Sequence, residues 1–431
     1  MALFGGLPGL EEELVKCMKC GNCQAVCPLY KETMAEPSVA RGKIRLAQAL
    51  LKGEIKPGAE LAGMFDFCLT CMACAAGCPS GVRVDRVVLA ARNAMINSRG
   101  LPLAKKAAIA GISRPMLLNT GMGIARAAQD AIFIRQGDRM SPRFPMGLEM
   151  RRVLPALAPQ FLRDGLPEIV RVSQAVGRVA FFTGCLINYI YTGVGRAIVR
   201  VLQKSGLEIV IPAQQHCCGS PVTIMGDHDT AARMAVSQVN LFSSIPCDAI
   251  ITACGTCGES FREFYPALLE GGAEGAKARE LSRKTFDISE YMAERVDIKA
   301  EKLVALQKSV TCHQPCHLAR GMGVKDQPAE LLKKIPGLNL IPMRDPGRCC
   351  GGSGSFSLTD YDLAGRVRRV KLKDIGETGA GLVAAGCGSC RMHIQDGLDQ
   401  AGMKVAVCHP VELLDQAYRT VTGKRGEGGN G

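Results

Sequence analysis

The architecture is set by C-M-K-C-G-N-C-Q-A-V-C-P at residues 17–28, which recurs as C-L-T-C-M-A-C-A-A-G-C-P at residues 68–79. Both stretches follow the pattern C-x2-C-x2-C-x3-C-P, with three cysteines at two-residue gaps and a fourth directly before a proline. The 431-residue chain has 21 cysteines, about 5% of its residues, which is high but below the roughly 8–10% of a small disulfide-stabilised fold. Cysteines at such short, regular gaps are more typical of metal ligands or redox groups than of disulfides.

This spacing indicates iron-sulfur clusters, because it is the run found in bacterial ferredoxins with two [4Fe-4S] clusters. In that arrangement the first three cysteines of a run ligate one cluster and the fourth ligates the other. Zinc is the alternative, but zinc ribbons use two cysteine pairs per ion, which does not explain two four-cysteine runs each closed by Cys-Pro. The sequence therefore predicts two [4Fe-4S] clusters, one held by Cys17, Cys20, Cys23 and Cys78 and the other by Cys68, Cys71, Cys74 and Cys27.

The composition is that of a globular protein with several domains. Hydrophobic residues make up 47% of the chain and charged residues 22%, which excludes a disordered or fibrous protein. Uninterrupted apolar stretches are too short to predict a membrane span. The first residues, which include Glu11, Glu12 and Glu13, do not have the pattern of a targeting segment. We therefore expect a cytoplasmic protein, soluble or peripheral on the inner face of the cell membrane.

The second half of the chain repeats one cysteine pattern. Each copy has a single cysteine, then Cys-Cys-Gly, then a C-x2-C pair, and corresponding cysteines are 131 to 133 positions apart. In each copy an apolar strand leads into the first cysteine, and further strands, separated by helical segments, lead into the other two groups. Strands that alternate with helices predict parallel sheets, in which the carboxyl ends of the strands lie at one edge.

All the cysteines of a copy follow those strand ends, so we expect them to converge on one site. Five converging thiols suit a further iron-sulfur cluster, whereas adjacent cysteines rarely reach disulfide geometry. A metal-free cysteine cluster and a cluster in only one copy both remain open alternatives. The candidate ligands are Cys185, Cys217, Cys218, Cys254 and Cys257 for a third cluster, and Cys316, Cys349, Cys350, Cys387 and Cys390 for a fourth.

Cys247, Cys312 and Cys408 fall outside the repeat and are predicted to be small buried side chains rather than ligands. Four of the six histidines lie close to the cysteine sets, where we expect them to bond to cluster sulfur or to backbone carbonyls. These four are His216, His313, His317 and His393.

The predicted fold class is a multidomain α+β and α/β protein. A mainly helical ferredoxin domain with two [4Fe-4S] clusters at residues 1–95 is followed by a basic helical linker at 96–176. The duplicated α/β region forms the Cys-Cys-Gly domains at 177–300 and 301–425.

From Arg92 to Arg178 there are 14 Lys and Arg residues against 5 Asp and Glu, a large part of the net charge of +13. That segment is a solvated connector, or it docks to an acidic partner or to anionic lipid. Nucleic acid is disfavoured, because aromatic residues are only 5% of the chain and no nucleic-acid module is recognisable.

With both halves interpreted, the chain resembles the iron-sulfur subunits of glycolate oxidase and related D-lactate dehydrogenases. In these proteins a two-cluster ferredoxin domain precedes two Cys-Cys-Gly domains. The resemblance rests on both ferredoxin runs, both Cys-Cys-Gly units, and the motifs R-G-K-I-R-L at 41–46 and P-C-H-L at 315–318. Related domains occur in heterodisulfide reductase catalytic subunits and in the third subunit of anaerobic glycerol-3-phosphate dehydrogenase.

The resemblance implies that an FAD-containing partner subunit oxidises a 2-hydroxyacid such as glycolate or D-lactate, and that this chain passes the electrons to a quinone or another acceptor. No residue of this chain is then catalytic on its own. The residues agree with this division, since no G-x-G-x-x-G motif in a strand-to-helix context predicts a flavin or nicotinamide site here. The alternative is a heterodisulfide-reductase-like catalytic subunit that reduces a disulfide at a noncubane cluster bound by a Cys-Cys-Gly domain.

Overall fold

The N-terminal part consists of short helices around the two cysteine runs. The computed structural model describes residues 5–145, 147–353 and 356–419. The helices of this part are α1 Glu11–Val15, α2 Asn22–Val26, α3 Pro28–Thr33, α4 Ala40–Leu51, α5 Ala59–Asp66, α6 Ala73–Ala76 and α7 Val84–Arg99. Helix α7 shows why these segments are helical, because Val84, Val87, Val88, Ala91 and Met95 recur at helical spacing and are all buried.

The connector has two helices and then a small antiparallel sheet. Its elements are α8 Leu103–Ser113, α9 Pro115–Ile132, β1 Phe133–Gln136, β2 Arg139–Pro142 and β3 Leu154–Pro155. The prediction of a basic helical linker at 96–176 therefore needs correction, because part of this segment forms strands. Gln136 pairs with Arg139, so Gly137 and Asp138 form a two-residue hairpin turn, and the positive φ of Gly137 (65°) allows it.

The first α/β unit has a five-stranded sheet in the order β4-β6-β5-β7-β8. Its elements are β4 Ile169–Val170, β5 Gly177–Phe181, α10 Gly184–Tyr189, α11 Thr192–Lys204, β6 Leu207–Val210, α12 Ser220–Met225, α13 His228–Ser243, β7 Ala249–Thr252, α14 Gly255–Glu259, α15 Tyr265–Leu268, α16 Gly275–Lys284, β8 Thr285–Asp287 and α17 Ile288–Glu294. The edge strand β4, which comes from the connector, is antiparallel to β6, and the other neighbours are parallel. A π-helical segment at Ser260–Phe264 separates α14 from α15.

The second unit has a four-stranded sheet in the order β10-β9-β11-β12, with every neighbour parallel. Its elements are β9 Lys308–His313, α18 Gln327–Lys333, β10 Leu338–Leu340, α19 Phe356–Thr359, α20 Tyr361–Thr378, β11 Leu382–Ala385, α21 Gly388–Gln400, β12 Ala406–Cys408 and α22 Pro410–Arg419. A helical part followed by α/β units with parallel strands confirms the predicted fold class. The first sheet departs from it only at β4.

The two α/β units share their hydrophobic core. One cluster of buried side chains joins Val179 and Ile198 of the first unit to Val310 and Leu414 of the second. Because both units contribute to one core, each strand edge with its cysteines is held in a fixed position relative to the other. No helix in the described part of the chain is long and apolar enough to span a membrane.

Candidate metal centres

The first cavity of the N-terminal part brings together the cysteines predicted for one cluster. Its lining includes Cys17, Cys20, Cys23 and Cys78. Cys20 is exposed and the other three are half-buried. This cavity therefore lies at the surface of the molecule.

The second cavity lies deeper and is lined by the cysteines predicted for the other cluster, Cys27, Cys68, Cys71 and Cys74. Cys71 is buried. The backbone N–H groups of Tyr30 and Thr70 donate to the sulfurs of Cys27 and Cys68, each at 3.4 Å. Such bonds favour thiolates, and thiolates are the form that ligates iron.

The two cysteine runs have the same unusual backbone. Lys19 and Thr70 precede the second cysteine of each run and have positive φ values of 58° and 47°. Gly21 and Met72, two positions further on, are also left-handed, at 89° and 57°. This conformation costs a non-glycine residue roughly 1–2 kcal/mol. Its occurrence at matching positions curls both runs around a central space, which fits a cluster held by three closely spaced sulfurs.

Two basic side chains of α4 give the cavities different electrostatic environments. Arg41 lines the first cavity, and Glu36 neutralises its charge through bonds of 2.8 and 2.7 Å. Lys43 lines the second cavity and is buried, with its ammonium donating to the carbonyls of Pro37 at 2.7 Å and Met64 at 2.5 Å. Burial lowers the pKa of Lys43, while the sulfurs of Cys68 and Cys27 oppose that shift. Sequence reasoning missed this residue, although a lysine in the apolar stripe of α4 was a usable signal.

A third cavity, of about 90 Å³, lies between the two α/β units and is lined by all five cysteines of the second set, Cys316, Cys349, Cys350, Cys387 and Cys390. All five are buried. Gly351 has a positive φ of 85°, and a Cβ there would lie 2.8 Å from the carbonyl oxygen of Ala364. The glycine of this Cys-Cys-Gly motif is therefore required by the backbone, and its N–H donates to the sulfur of Cys349 at 3.4 Å.

The cysteines of the first set also converge. Neighbouring thiols shift each other's pKa in the pairs Cys185 and Cys217, Cys217 and Cys218, Cys218 and Cys257, and Cys257 and Cys254, so these side chains lie close together. As in the second unit, the glycine after the double cysteine, Gly219, has a positive φ of 78°. The tertiary structure thus brings together residues that are spread over about seventy positions.

Each set contains a thiol whose pKa is lowered, so that it ionises more readily. The pKa of Cys218 is lowered because the thiols of Cys217 and Cys257 donate to its sulfur. The pKa of Cys350 is lowered by a hydrogen bond from Cys390 and also by His313. The ligand atoms of His313, Cys350 and Cys390 lie within 4.8 Å of one another. This donor chemistry fits a metal cluster, because thiolates are its ligands.

The cysteine sets contact one another in series. Cys74 lines both ferredoxin cavities. Cys71 of the second cavity packs in one buried cluster with Cys349 of the second α/β unit, and the neighbouring Cys349 thiol raises the pKa of Cys71. The sulfurs of Cys387 and Cys254 lie 3.8 Å apart and join that unit's set to the set of the first unit. A series of neighbouring cysteine sulfurs therefore runs from the exposed Cys20 into the interior.

The histidines near the cysteines are held by polar partners. His216 contacts the carbonyl of Cys217 at 2.9 Å, and His313 contacts that of Pro346 at 3.2 Å. His317 is hydrogen-bonded to buried Glu259, which sequence reasoning did not identify. Burial alone would lower the pKa of His317, but the adjacent carboxylate raises it to about 9. Burial also lowers the pKa of His393 to about 4.

The three remaining cysteines, Cys247, Cys312 and Cys408, are half-buried and are absent from the linings of these three cavities. Burial raises the pKa of Cys312 and of Cys408 to about 12, so both stay protonated at neutral pH. These three cysteines pack against the hydrophobic clusters of the α/β units.

Comparison with known families agrees with this organisation. A family described as 4Fe-4S dicluster domain matches residues 13–82, and a family described as Cysteine-rich domain matches residues 179–262 and 310–395. These matches confirm the prediction of iron-sulfur clusters in a ferredoxin domain followed by two Cys-Cys-Gly domains.

Several relatives that match over most of their own length carry the names of oxidoreductase or substrate-utilization proteins. A probable glycolate oxidase iron-sulfur subunit of Bacillus subtilis is 27% identical, with 94% of each chain covered. One of the subunits of the fumarate reductase (CoM/CoB) of Methanothermobacter marburgensis is 30% identical over 94% of this chain and 73% of its own length. A lactate utilization protein A of a Geobacillus species is 34% identical over 55% of this chain and 99% of its own.

Proposed function

Because the chain belongs to the family of iron-sulfur subunits that includes those of glycolate oxidases, we propose that it carries electrons for a flavin-dependent 2-hydroxyacid dehydrogenase. A partner flavoprotein oxidises the hydroxyacid to a 2-oxoacid and releases two electrons and two protons. This chain conducts the electrons one at a time to a quinone or another acceptor. The observation that supports this most strongly is the series of contacts from Cys74 through the Cys71–Cys349 and Cys387–Cys254 pairs.

The proposed ligand sets follow the cavities. We assign one [4Fe-4S] cluster to Cys17, Cys20, Cys23 and Cys78, and the other to Cys68, Cys71, Cys74 and Cys27. Further clusters are assigned to Cys185, Cys217, Cys218, Cys254 and Cys257, and to Cys316, Cys349, Cys350, Cys387 and Cys390. When bound, such clusters accept and release single electrons. The proposed domains remain 1–95, 96–176, 177–300 and 301–425, and the described residues leave out the extreme ends of the first and last.

The protein's own side chains prepare these sites. Apolar side chains pack around Cys349 and Cys316, among them Leu29, Leu69 and Phe356, and lower the polarity of the surroundings of their thiols. Backbone N–H donors orient sulfurs in the second ferredoxin cavity and in the second α/β unit. The exposed first cavity, with Val15 and Met18 exposed close to it in sequence, is where we propose that the flavoprotein docks.

The test is reconstitution. The anaerobically purified chain alone should not oxidise glycolate or D-lactate with an artificial acceptor, and addition of its flavoprotein subunit should restore turnover. The isolated flavoprotein with the same acceptor is the control for direct transfer. Turnover by the pure, flavin-free chain would contradict the proposal.

A second candidate function is disulfide reduction at the cavity between the α/β units. It is favoured by the position of Cys387, which contacts Cys254 and lines a cavity that also includes Thr256 and His317. The buried His317–Glu259 pair would hold a proton beside that cavity. Reduction of a thiol-derived disulfide by the chemically reduced chain, without any flavoprotein, would favour this function over the first.

A further inference from the structure

Helices α8 and α9 present an apolar face that the rest of the described chain does not cover. Leu103 is 85% exposed, Met116 82%, Ile124 65% and Leu117 50%. Along α9 a stripe of exposed positions recurs at three- and four-residue intervals and is apolar except for one threonine, with the exposed polar residues Asn119 and Asp130 beside it. The positions of this stripe are Met116, Thr120, Ile124, Ala127 and Ala131, and all five are exposed.

The opposite face of α9 is anchored to the first α/β unit. Leu118 and Met122 pack in a cluster with Phe161 and Tyr189, and Cys185 packs against the same cluster. The hydroxyl of Tyr189 is hydrogen-bonded to Asn119 of α9. One side of the helix is therefore fixed next to a cysteine of the first set, while the other side faces outward.

Basic residues predominate around this apolar face. Residues 99–126 contain five Lys or Arg residues and no Asp or Glu. Lys105 pairs with Asp66, and Arg126 lies over the ring of Phe161 at 4.5 Å. Arg99, Lys106 and Arg114 are exposed or half-exposed. Exposed apolar residues beside basic ones are the pattern of a helix that lies on an anionic membrane surface.

We propose that the outward face of α8 and α9 binds the surface of an anionic lipid bilayer. The apolar side chains enter the interface, and the basic residues meet lipid phosphates. A bilayer suits this face better than an apolar protein partner does, because the exposed Arg99, Lys106 and Arg114 flank it. The nearby acids, Asp66 and Asp130, pair with Lys105 and Arg135. The inference rests on the proposed function, in which electrons pass to a quinone.

The position of the face explains why such docking would be useful. Cys185 belongs to the set at the far end of the series from the exposed Cys20. It is separated from the outward face by α9 alone, and a helix with its side chains is about 10–12 Å across. Docking would therefore bring the last cysteine set close to lipid, where a quinone takes up two electrons and two protons and becomes a quinol.

Vesicle flotation tests the proposal with the anaerobically prepared full chain. Wild type should float with phosphatidylglycerol-containing vesicles, more weakly at high salt, and bind pure phosphatidylcholine vesicles at least about fivefold less. The variant Met116→Ser/Leu117→Ser/Ile124→Ser should lose about tenfold or more of the partition coefficient. The variant Lys106→Glu/Arg114→Glu should lose a similar amount without altering the apolar residues. Val176→Ser, at a site 80% exposed elsewhere, is the matched control and should float like wild type.

Iron content, cluster EPR signals and electron flux to a water-soluble acceptor are measured in the same samples. These should be unchanged in both multiple variants, so a failure of the proposed function is distinguishable from a failure of docking. The proposal would be overturned if wild type did not float, if both multiple variants floated as well as wild type, or if wild type bound neutral and anionic vesicles equally. Loss of flavoprotein co-purification with unchanged flotation would also overturn it and identify the face as a protein interface.

Discussion

Lys43 is the residue that most clearly distinguishes the two ferredoxin cavities. Its buried ammonium lines the second cavity and, within the described part of the chain, forms hydrogen bonds only with carbonyl oxygens. Arg41 at the first cavity is instead neutralised by Glu36. A positive charge favours the reduced state of a nearby cluster, because reduction adds a negative charge. We therefore expect the second cluster to have the higher reduction potential.

The corresponding prediction concerns Lys43→Gln. The potential of one cluster should fall, since a unit charge within about 10 Å at an effective dielectric constant of about 20 is worth about 1.7 kcal/mol, or roughly 70 mV. EPR-monitored redox titration measures this shift. Lys52→Gln, at the exposed end of α4, is the control and should leave both potentials unchanged. Equal potentials in wild type and Lys43→Gln would show that the ammonium does not influence either cluster.

A second prediction at this scale separates the two ligand sets. Cys20→Ser should perturb one cluster and leave the EPR signal of the other recognisable, because Cys20 lines only the first cavity. Cys247→Ser, outside all four sets, should retain the wild-type iron content. Stoichiometric zinc without labile sulfide in the anaerobically reconstituted wild type would refute the cluster assignment itself.

Among the elements, α7 and α12 form the junction between the ferredoxin part and the first α/β unit. The guanidinium of Arg92 donates to the carbonyls of Phe65, Asp66, Cys68 and Ile224. Gly226, directly after α12, accepts a bond from Asn93 at 2.9 Å. This network holds the two parts in the relative position on which the series of cysteine contacts depends.

Gly226→Ala should weaken this junction. Gly226 has a φ of 98°, and an added Cβ would lie 2.9 Å from the backbone of Arg92. The left-handed backbone alone costs roughly 1–2 kcal/mol, and the contact adds to it, so the unfolding temperature should fall. Gly111→Ala, where an added Cβ meets nothing within 4 Å, is the control and should be neutral or stabilising by up to about 1 kcal/mol. An unchanged melting temperature for Gly226→Ala would mean that α7 and α12 separate at little cost.

For the molecule as a whole, the central question is whether the α/β units conduct electrons. The double variant Cys349→Ala/Cys350→Ala removes one member of the Cys71–Cys349 contact and two of the five thiols in its set. It should lose the iron bound by that set, keep the EPR signals of the two cubanes with their roughly eight irons, and block flux from flavoprotein to acceptor. Iron and sulfide per chain, together with flux, are the measurements. If wild type and variant both hold about eight irons and support equal flux, the α/β units are scaffolds.

Local spacing was enough to predict much of this protein. Three thiols at two-residue gaps reach one cluster through the chain itself, so the ferredoxin runs could be interpreted without a fold. Strands that lead into matching cysteines likewise predicted two α/β units, because parallel strands share one edge. The hairpin at Gly137 was missed because the proline-rich composition of the connector outweighed a two-residue turn signal.

Other features depend on residues far apart in the chain, and only the tertiary structure placed them together. Cys71 meets Cys349, Cys254 meets Cys387, and Glu259 meets His317 because the parts pack around common hydrophobic clusters. The burial of Lys43 and the exposure of the α9 face were decided in the same way. The sequence determined which chemistry each segment carries. Packing determined which segments lie next to one another in space, because contact between distant side chains depends on how whole elements bury their apolar faces.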